Sequence, residues 1–177
     1  NSTLDTSRSV NEIAFNASEQ YVLDGANNSL SAVDNGSIKI SGNGTLKNIT
    51  MIGTVTGEGD NTMTVAGDVT FDAATVSNIN LNITNDANLV MNGTMQGGAL
   101  SGRSNAKFTN GILDNVNTAS FSGVAKDVTF KNYGLSFVFN NNVRFDGTTT
   151  IYADNVSGVY RTAYAQPIKT EFIPMKN

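Results

Sequence analysis

Apolar residues come in short runs along this chain, one every second place for three to five residues, and each run is closed by Gly, Asn or Asp. Alternation of period two buries one face of a β-strand, so each run predicts a strand. The clearest are "SIKI" at 37–40, "TMTV" at 62–65, "DVTF" at 68–71, "INLNI" at 79–83, "NLVM" at 88–91, "AKFT" at 106–109, "DVTF" at 127–130, "LSFVF" at 135–139 and "TTTIYA" at 148–153. Helical periodicity is nearly absent. Only "SVNEIAFNASEQYVL", residues 9–23, scores as a short amphipathic helix, and the alternation of Ile13 with Phe15 and of Tyr21 with Leu23 favours two short strands instead.

A degenerate phrase links these strands: an apolar-x-apolar pair, a Gly or Asn corner, then one or two further apolar residues. It recurs in "IKISGNGTL", "MTVAGDVTF", "LVMNGTMQ", "KFTNGIL" and "SFSGVAKDVTF", at spacings from about a dozen to 26 residues. Such irregular spacing fits a solenoid whose corners accept insertions. Asn-Gly at Asn35-Gly36, Asn43-Gly44, Asn92-Gly93 and Asn110-Gly111 is also the strongest short hairpin signal, so an antiparallel β-sandwich remains the rival. Against the sandwich, the strands are short, Pro is nearly absent from the turns, and the apolar pairs sit on the same side of successive corners. The expected fold is therefore all-β, a right-handed parallel β-helix in which strands of successive coils pair about 4.8 Å apart. Val65, Phe71, Met91, Phe108, Phe121 and Phe130 are the expected inward ladder. Asn43, Asn92 and Asn110 are expected at corners, in left-handed backbone with stacked amides.

The composition changes near residue 130. Nine of the fourteen aromatic residues fall from Phe130 onward (Phe130, Tyr133, Phe137, Phe139, Phe145, Tyr152, Tyr160, Tyr164 and Phe172), and both prolines, Pro167 and Pro174, follow in the same segment. A solenoid needs its open end covered, because the last coil otherwise exposes strand edges and core. The expected division is thus a β-solenoid over 1–130 and a C-terminal cap or subunit-interface segment over 131–177.

The stretch "YVLDGANNSLSAVDNGSIKISGNGTLKNITMIG", residues 21–53, resembles the coils of right-handed β-helix proteins of the pectate-lyase-like type, as in bacteriophage tailspikes and tail appendages. A second stretch, "NEIAFNASEQYVLDGANNSLSAV" with "GSIKISGNGT", within 11–45, resembles the passenger repeats of bacterial autotransporters. Either resemblance covers roughly residues 9–130 and rests on β-helix grammar, with no catalytic motif. The tailspike resemblance implies an extracellular, virion-tail protein that recognises host cell-surface polysaccharide, as a homotrimer with a β-rich, aromatic C-terminal end. It departs from that type in having no Trp to set against sugars. The autotransporter resemblance implies a monomeric adhesive stalk at the bacterial cell surface.

Composition narrows the chemistry further. With no Cys and no His, the chain has no disulfides, thiolate sites or Ser-His-Asp chemistry, and it lacks the commonest transition-metal ligand. Eleven basic against fifteen acidic residues leave a net charge of −4, so nucleic acid is not an expected partner. No apolar run of about 18 residues is present to span a bilayer, and no membrane insertion is expected. Asn1 in place of an initiator Met suggests a processed chain or an excised fragment.

Glycan cleavage on such a scaffold needs two carboxylates roughly 5–9 Å apart across neighbouring coils. Most acids here are scattered singly. Glu58 and Asp60 in "TGEGDN" are the closest pair beyond residue 50, and they are the candidate catalytic residues of a polysaccharide depolymerase, a hydrolase or a lyase. Their Gly-rich loop is also a candidate cation loop, although a solvated turn explains it more simply. Neither a metal nor a cofactor is expected. Arg103 and Lys107, near one corner, are candidate ligand-binding residues for an acidic sugar, solvent being the plain alternative. Thr-x-Thr pairs at 54–56 and 62–64 are reminiscent of ice-binding solenoids, but such pairs do not recur on every coil. The sequence favours a non-catalytic surface-recognition role over an enzyme.

Overall fold

The computed structural model describes residues 1–16, 20–72, 75–133, 136–138, 142–152, 155–157, 161–162 and 169–173, with 136–138, 155–157, 161–162 and 169–173 entering as backbone only. Among the described residues every ladder between strands is parallel, and the chain winds as a β-solenoid. The antiparallel sandwich is thereby overturned.

A turn of the solenoid lays down strands in three columns. The first column runs through Tyr21–Asp24, the opening halves of Gly44–Ile52 and Thr62–Asp72, then Asn80–Ile83 and Ala99–Gly102. The second runs through Arg8–Val10, Ser29–Ala32, the closing halves of the same two long strands, Asn88–Met91, Lys107–Thr109, Val124–Lys126 and Arg144–Asp146. Because the long strands serve both columns, these two form one continuous sheet. The third column is a separate sheet from Glu12–Ala14 and Ser37–Ser41 through Thr54–Thr56, Thr75–Ser77, Thr94–Gln96, Ile112–Asp114, Thr129–Lys131 and Thr148–Tyr152 to Lys169–Ile173. In this column Val55, Val76, Met95, Leu113, Phe130 and Ile151 stack in register, successive members 17 to 21 residues apart.

The Asn-Gly pairs turn the chain between columns. A hairpin would fold the second strand back on the first, whereas here the corner backbone bonds to the next coil: Ile112 N–H donates to Gly93 O (2.9 Å) and Thr129 N–H to Gly111 O (3.0 Å). Of the three asparagines expected in left-handed backbone, Asn110 has it (φ 64°); Asn43 and Asn92 do not, and in the first case the preceding Gly42 (φ 74°) takes it. The amide stacking is present at this corner. Asn110 Nδ2 donates to Asn92 Oδ1 (3.0 Å), and Asn92 Nδ2 reaches Asp72 Oδ1 (3.4 Å).

All six residues expected in the core are buried. They belong to several inward ladders, because each column contributes its own. Phe71 stands between Met51 and Met91, Val65 between Leu46 and Ile83, and Phe108 between Leu89 and Ala125. Sizes compensate along a ladder: Ala125 lies between Phe108 and Phe145, and Phe130 packs edge-on against Phe145 with ring centroids 6.0 Å apart.

Both sheets run on past residue 130, Arg144–Asp146 pairing with Val124–Lys126, and Thr148–Tyr152 with Thr129–Lys131. In the aromatic C-terminal segment, Phe130 and Phe145 belong to the buried core and Tyr133 packs against it. Phe139, Tyr160, Tyr164, Pro167 and Pro174 lie outside the described residues.

Outward positions of the third column carry threonine. Thr75 pairs with Thr94 and Thr129 with Thr150, and Ile112 interrupts the row between them. The second member of each pair does not repeat: Thr56 is followed up the column by Ser77, Gln96, Asp114 and Lys131.

Candidate functional site

The loop carrying Glu58 and Asp60 is the corner from the third column to the first. Its backbone is fixed to the next coil, Gly57 N–H donating to Ser77 O (2.8 Å) and Gly59 N–H to Asn78 O (2.7 Å). Gly57 has no room for a side chain: a Cβ there would sit 2.7 Å from Asn61 Oδ1 and 2.8 Å from Ile79 Cβ. Asn61, 5% exposed, closes the loop, its Oδ1 accepting from Glu58 N–H (2.8 Å) and its Nδ2 donating to Ile40 O (3.3 Å). A buried amide with its bonds made is a structural pin.

Above this corner the Glu58 carboxylate is engaged. Lys39 Nζ lies 3.1 Å from Glu58 Oε1 and 3.9 Å from Glu12 Oε1. The Glu58 hydrogen bond first, then the charges of Glu58 and Glu12, raise the Lys39 pKa above the ordinary lysine value. Asp60 is exposed beside the pair. Among the described residues no three acidic side chains gather as metal ligands.

Arg103 occupies a different kind of corner. Between the first and second columns the coil of Tyr21–Asp24 and Ser29–Ala32 turns through residues 25–28, with Ala26 (φ 48°) and Asn27 (φ 67°) left-handed, and the following two coils turn on one such residue each, Asn48 (φ 47°) and then Gly67 (φ 63°). The next two coils widen this corner to residues 84–87 and 103–106, with Asp86 (φ 64°) and Ser104 (φ 53°) in the same conformation. One coil higher the first column itself breaks: residues 117–121 keep only single bridges, Asn117 to Ala99 and Phe121 to Gly102. The chain bows there around an Asn117-Oδ1-capped turn, which accepts Ala119 N–H at 3.1 Å. The widened corner and the broken column together leave an open groove of about 920 Å³. Asn82, Asn85, Ser101, Arg103, Ser122 and Asn142 are among the side chains along it, and among the described residues no carboxylate lines it. The hydroxyls there are oriented, Ser101 Oγ donating to Asn82 Oδ1 (3.0 Å) and Ser122 Oγ to Gly102 O (3.4 Å).

Lys107 points outward from the second column, since its neighbour Phe108 points in. It lines a second cavity, about 450 Å³, with Lys126 and Arg144 from the next two coils and Asp68, Asp86 and Asp146 around them. Arg103 at the start of the 103–106 corner lines the first cavity, and Arg144 of the second reaches the same corner, its Nη2 donating to Ser104 O (3.3 Å). Arg103 and Lys107, four residues apart, therefore flank one corner, while Glu58 and Asp60 line neither cavity. Sequence reading missed Lys126 and Arg144. Their only signal was a spacing near one coil, Lys126 following Lys107 by nineteen residues and Arg144 following Lys126 by eighteen, although the register pairs Lys107 with Val124 and Lys126 with Asp146.

No family model matches the chain, and neither a curated protein nor a solved structure does. No helix among the described residues is long and apolar enough to cross a membrane.

Proposed function

We propose that this solenoid is a surface-recognition module of an extracellular assembly, binding cell-surface glycan along its side and leaving the glycan intact. The observation that carries this reading is the groove beside the Arg103 corner: open, and lined among the described residues by amides, hydroxyls and one guanidinium without a carboxylate. Such a lining offers donors and acceptors to sugar hydroxyls. Hydrolysis of a glycosidic bond asks for two carboxylates flanking it, and the candidate Glu58 is held by Lys39 on another corner. The setting we infer is a virion tail appendage of tailspike or tail-fibre type, working as a homotrimer. The parallel solenoid supports that setting at the level of architecture only.

The test is to titrate the protein with isolated bacterial surface polysaccharides while following both heat of binding and release of reducing ends or unsaturated products. Saturable binding without product is expected. Product formation abolished by Glu58→Ala or Asp60→Ala would replace this reading with a depolymerase. Light scattering after size exclusion addresses assembly: a stable monomer would remove the trimer and favour the autotransporter-like stalk.

A further inference from the structure

Eight basic side chains are described, and they divide sharply. Arg8, Lys39, Lys47 and Lys131 each have a carboxylate within 4.0 Å: Asp5, Glu58, Asp24 and Asp114 respectively. Arg103, Lys107, Lys126 and Arg144 have none among the described residues. In a chain with more acids than bases, the unpaired cations among the described residues are the four near one corner. From this juxtaposition we propose that Arg103, Lys107, Lys126 and Arg144 hold an acidic polysaccharide, one carrying carboxylates at intervals, laid along the solenoid axis. The proposal rests on the glycan reading above and names the class of glycan.

The register supports a polymer over a single small anion. Lys107 pairs with Val124 and Val124 with Arg144, so the two cations stand two rungs apart, about 9.6 Å at the usual strand spacing. That is close to the reach of a disaccharide in an extended chain. Lys126 lies one rung up from Lys107 and two residues along, beside Thr109. Val124 faces outward by alternation with the inward Ala125, yet it is only 7% exposed and belongs to no part of the core cluster. It lies between the two cations in the lining of the cavity.

The acids of this cavity are placed so as to select rather than cancel. Asp86 accepts from Asn85 Nδ2 and Asn105 Nδ2, both at 2.8 Å, and Asp146 accepts Gly147 N–H at 2.8 Å. Asp68 stands at the lower end, in register with Asn88 and through it with Lys107, two rungs below that cation. Asp146 stands on the top rung in register with Lys126, so a bound carboxylate is favoured beside Lys107 and Arg144, and sugar hydroxyls beside Asp68 and Asp146.

Calorimetric titration of the intact chain with polygalacturonate and polymannuronate oligosaccharides tests this, beside neutral maltohexaose and a single-stranded DNA of matched charge. The acidic oligosaccharides should bind and weaken as salt rises. Lys107→Gln and Arg144→Gln should each lower affinity about fivefold, and the pair about 25-fold. Lys126→Gln gives the same readout without touching the Ser104 contact. Lys39→Gln, with the same charge change on another corner, should leave affinity unchanged. Maltohexaose bound as tightly, with Lys107→Gln silent, overturns the acidic assignment and leaves the glycan reading standing. Binding of neither kind of sugar overturns both. DNA bound as tightly as the sugars and weakened equally by Lys39→Gln would mean diffuse electrostatics, and overturns the site.

Discussion

The corner at residues 57–61 and the corner at residues 103–106 both set charged side chains on a short polar loop, and their charges are used in opposite ways. At the first, Glu58 meets Lys39 and the loop is pinned from beneath by the buried Asn61. At the second, Arg103 and Lys107 have no carboxylate within 4.0 Å among the described residues and stand beside open cavities with Lys126 and Arg144. A corner whose polar groups bond to one another is finished as structure. One whose donors are left over has bonds still to make, and that is where a ligand belongs.

Substitution can break this contrast. The largest effect is expected at Asn61→Leu, which removes the loop's pin and strands Glu58 N–H and Ile40 O: about 3 kcal/mol of unfolding free energy, read by denaturant titration. Gly57→Ala should follow at about 2 kcal/mol, because the new methyl collides with Asn61 and Ile79. Gly59→Ala meets no neighbouring atom but keeps a φ of 93°, and about 1 kcal/mol is expected from backbone strain alone. If Asn61→Leu melted like the parent protein, the first corner would not be structural and the contrast would fail.

A pH scan sharpens it. Lys39 titrates above the ordinary lysine value of 10.5 in the folded protein, so the stability it contributes is fully present below that value. That contribution is lost as pH rises through the higher folded value. Glu58→Gln should lower the Lys39 midpoint, followed by NMR of the ε-methylene, because Glu58 is its largest cause. The smallest effect is reserved for the other corner: Arg103→Gln, exposed and unpaired, should leave the melting temperature unchanged within error. A clear loss of stability there would show that Arg103 serves the fold.

Much of the scaffold was legible in the sequence. "NLVM" at 88–91 is a strand to the residue, and Phe71, Phe108 and Phe130 are buried as alternation predicts. The long strands Gly44–Ile52 and Thr62–Asp72 were harder, since Gly67 and Asn48 look like breaks and yet only bend a strand that continues. The Asn-Gly pairs misled toward hairpins for a related reason. A left-handed residue reverses a chain or merely turns it, depending on whether its neighbours pair with each other or with the next coil.

The candidate site was half legible. Arg103 and Lys107 stood out as isolated bases near a corner, but Glu58 and Asp60 stood out just as strongly, and nothing local separates the two cases. Lys39, which occupies Glu58, is nineteen residues away in sequence, and Arg144 is 37 residues from Lys107. The coil length varies from 17 to 21 residues along the third column, so the rungs cannot be counted from the sequence alone. Strand positions and inward faces follow from alternation because a strand's two faces are a local property of the backbone. Which outward charges meet is a property of stacking, since pairing by rungs about 4.8 Å apart brings together residues that the chain itself keeps far apart.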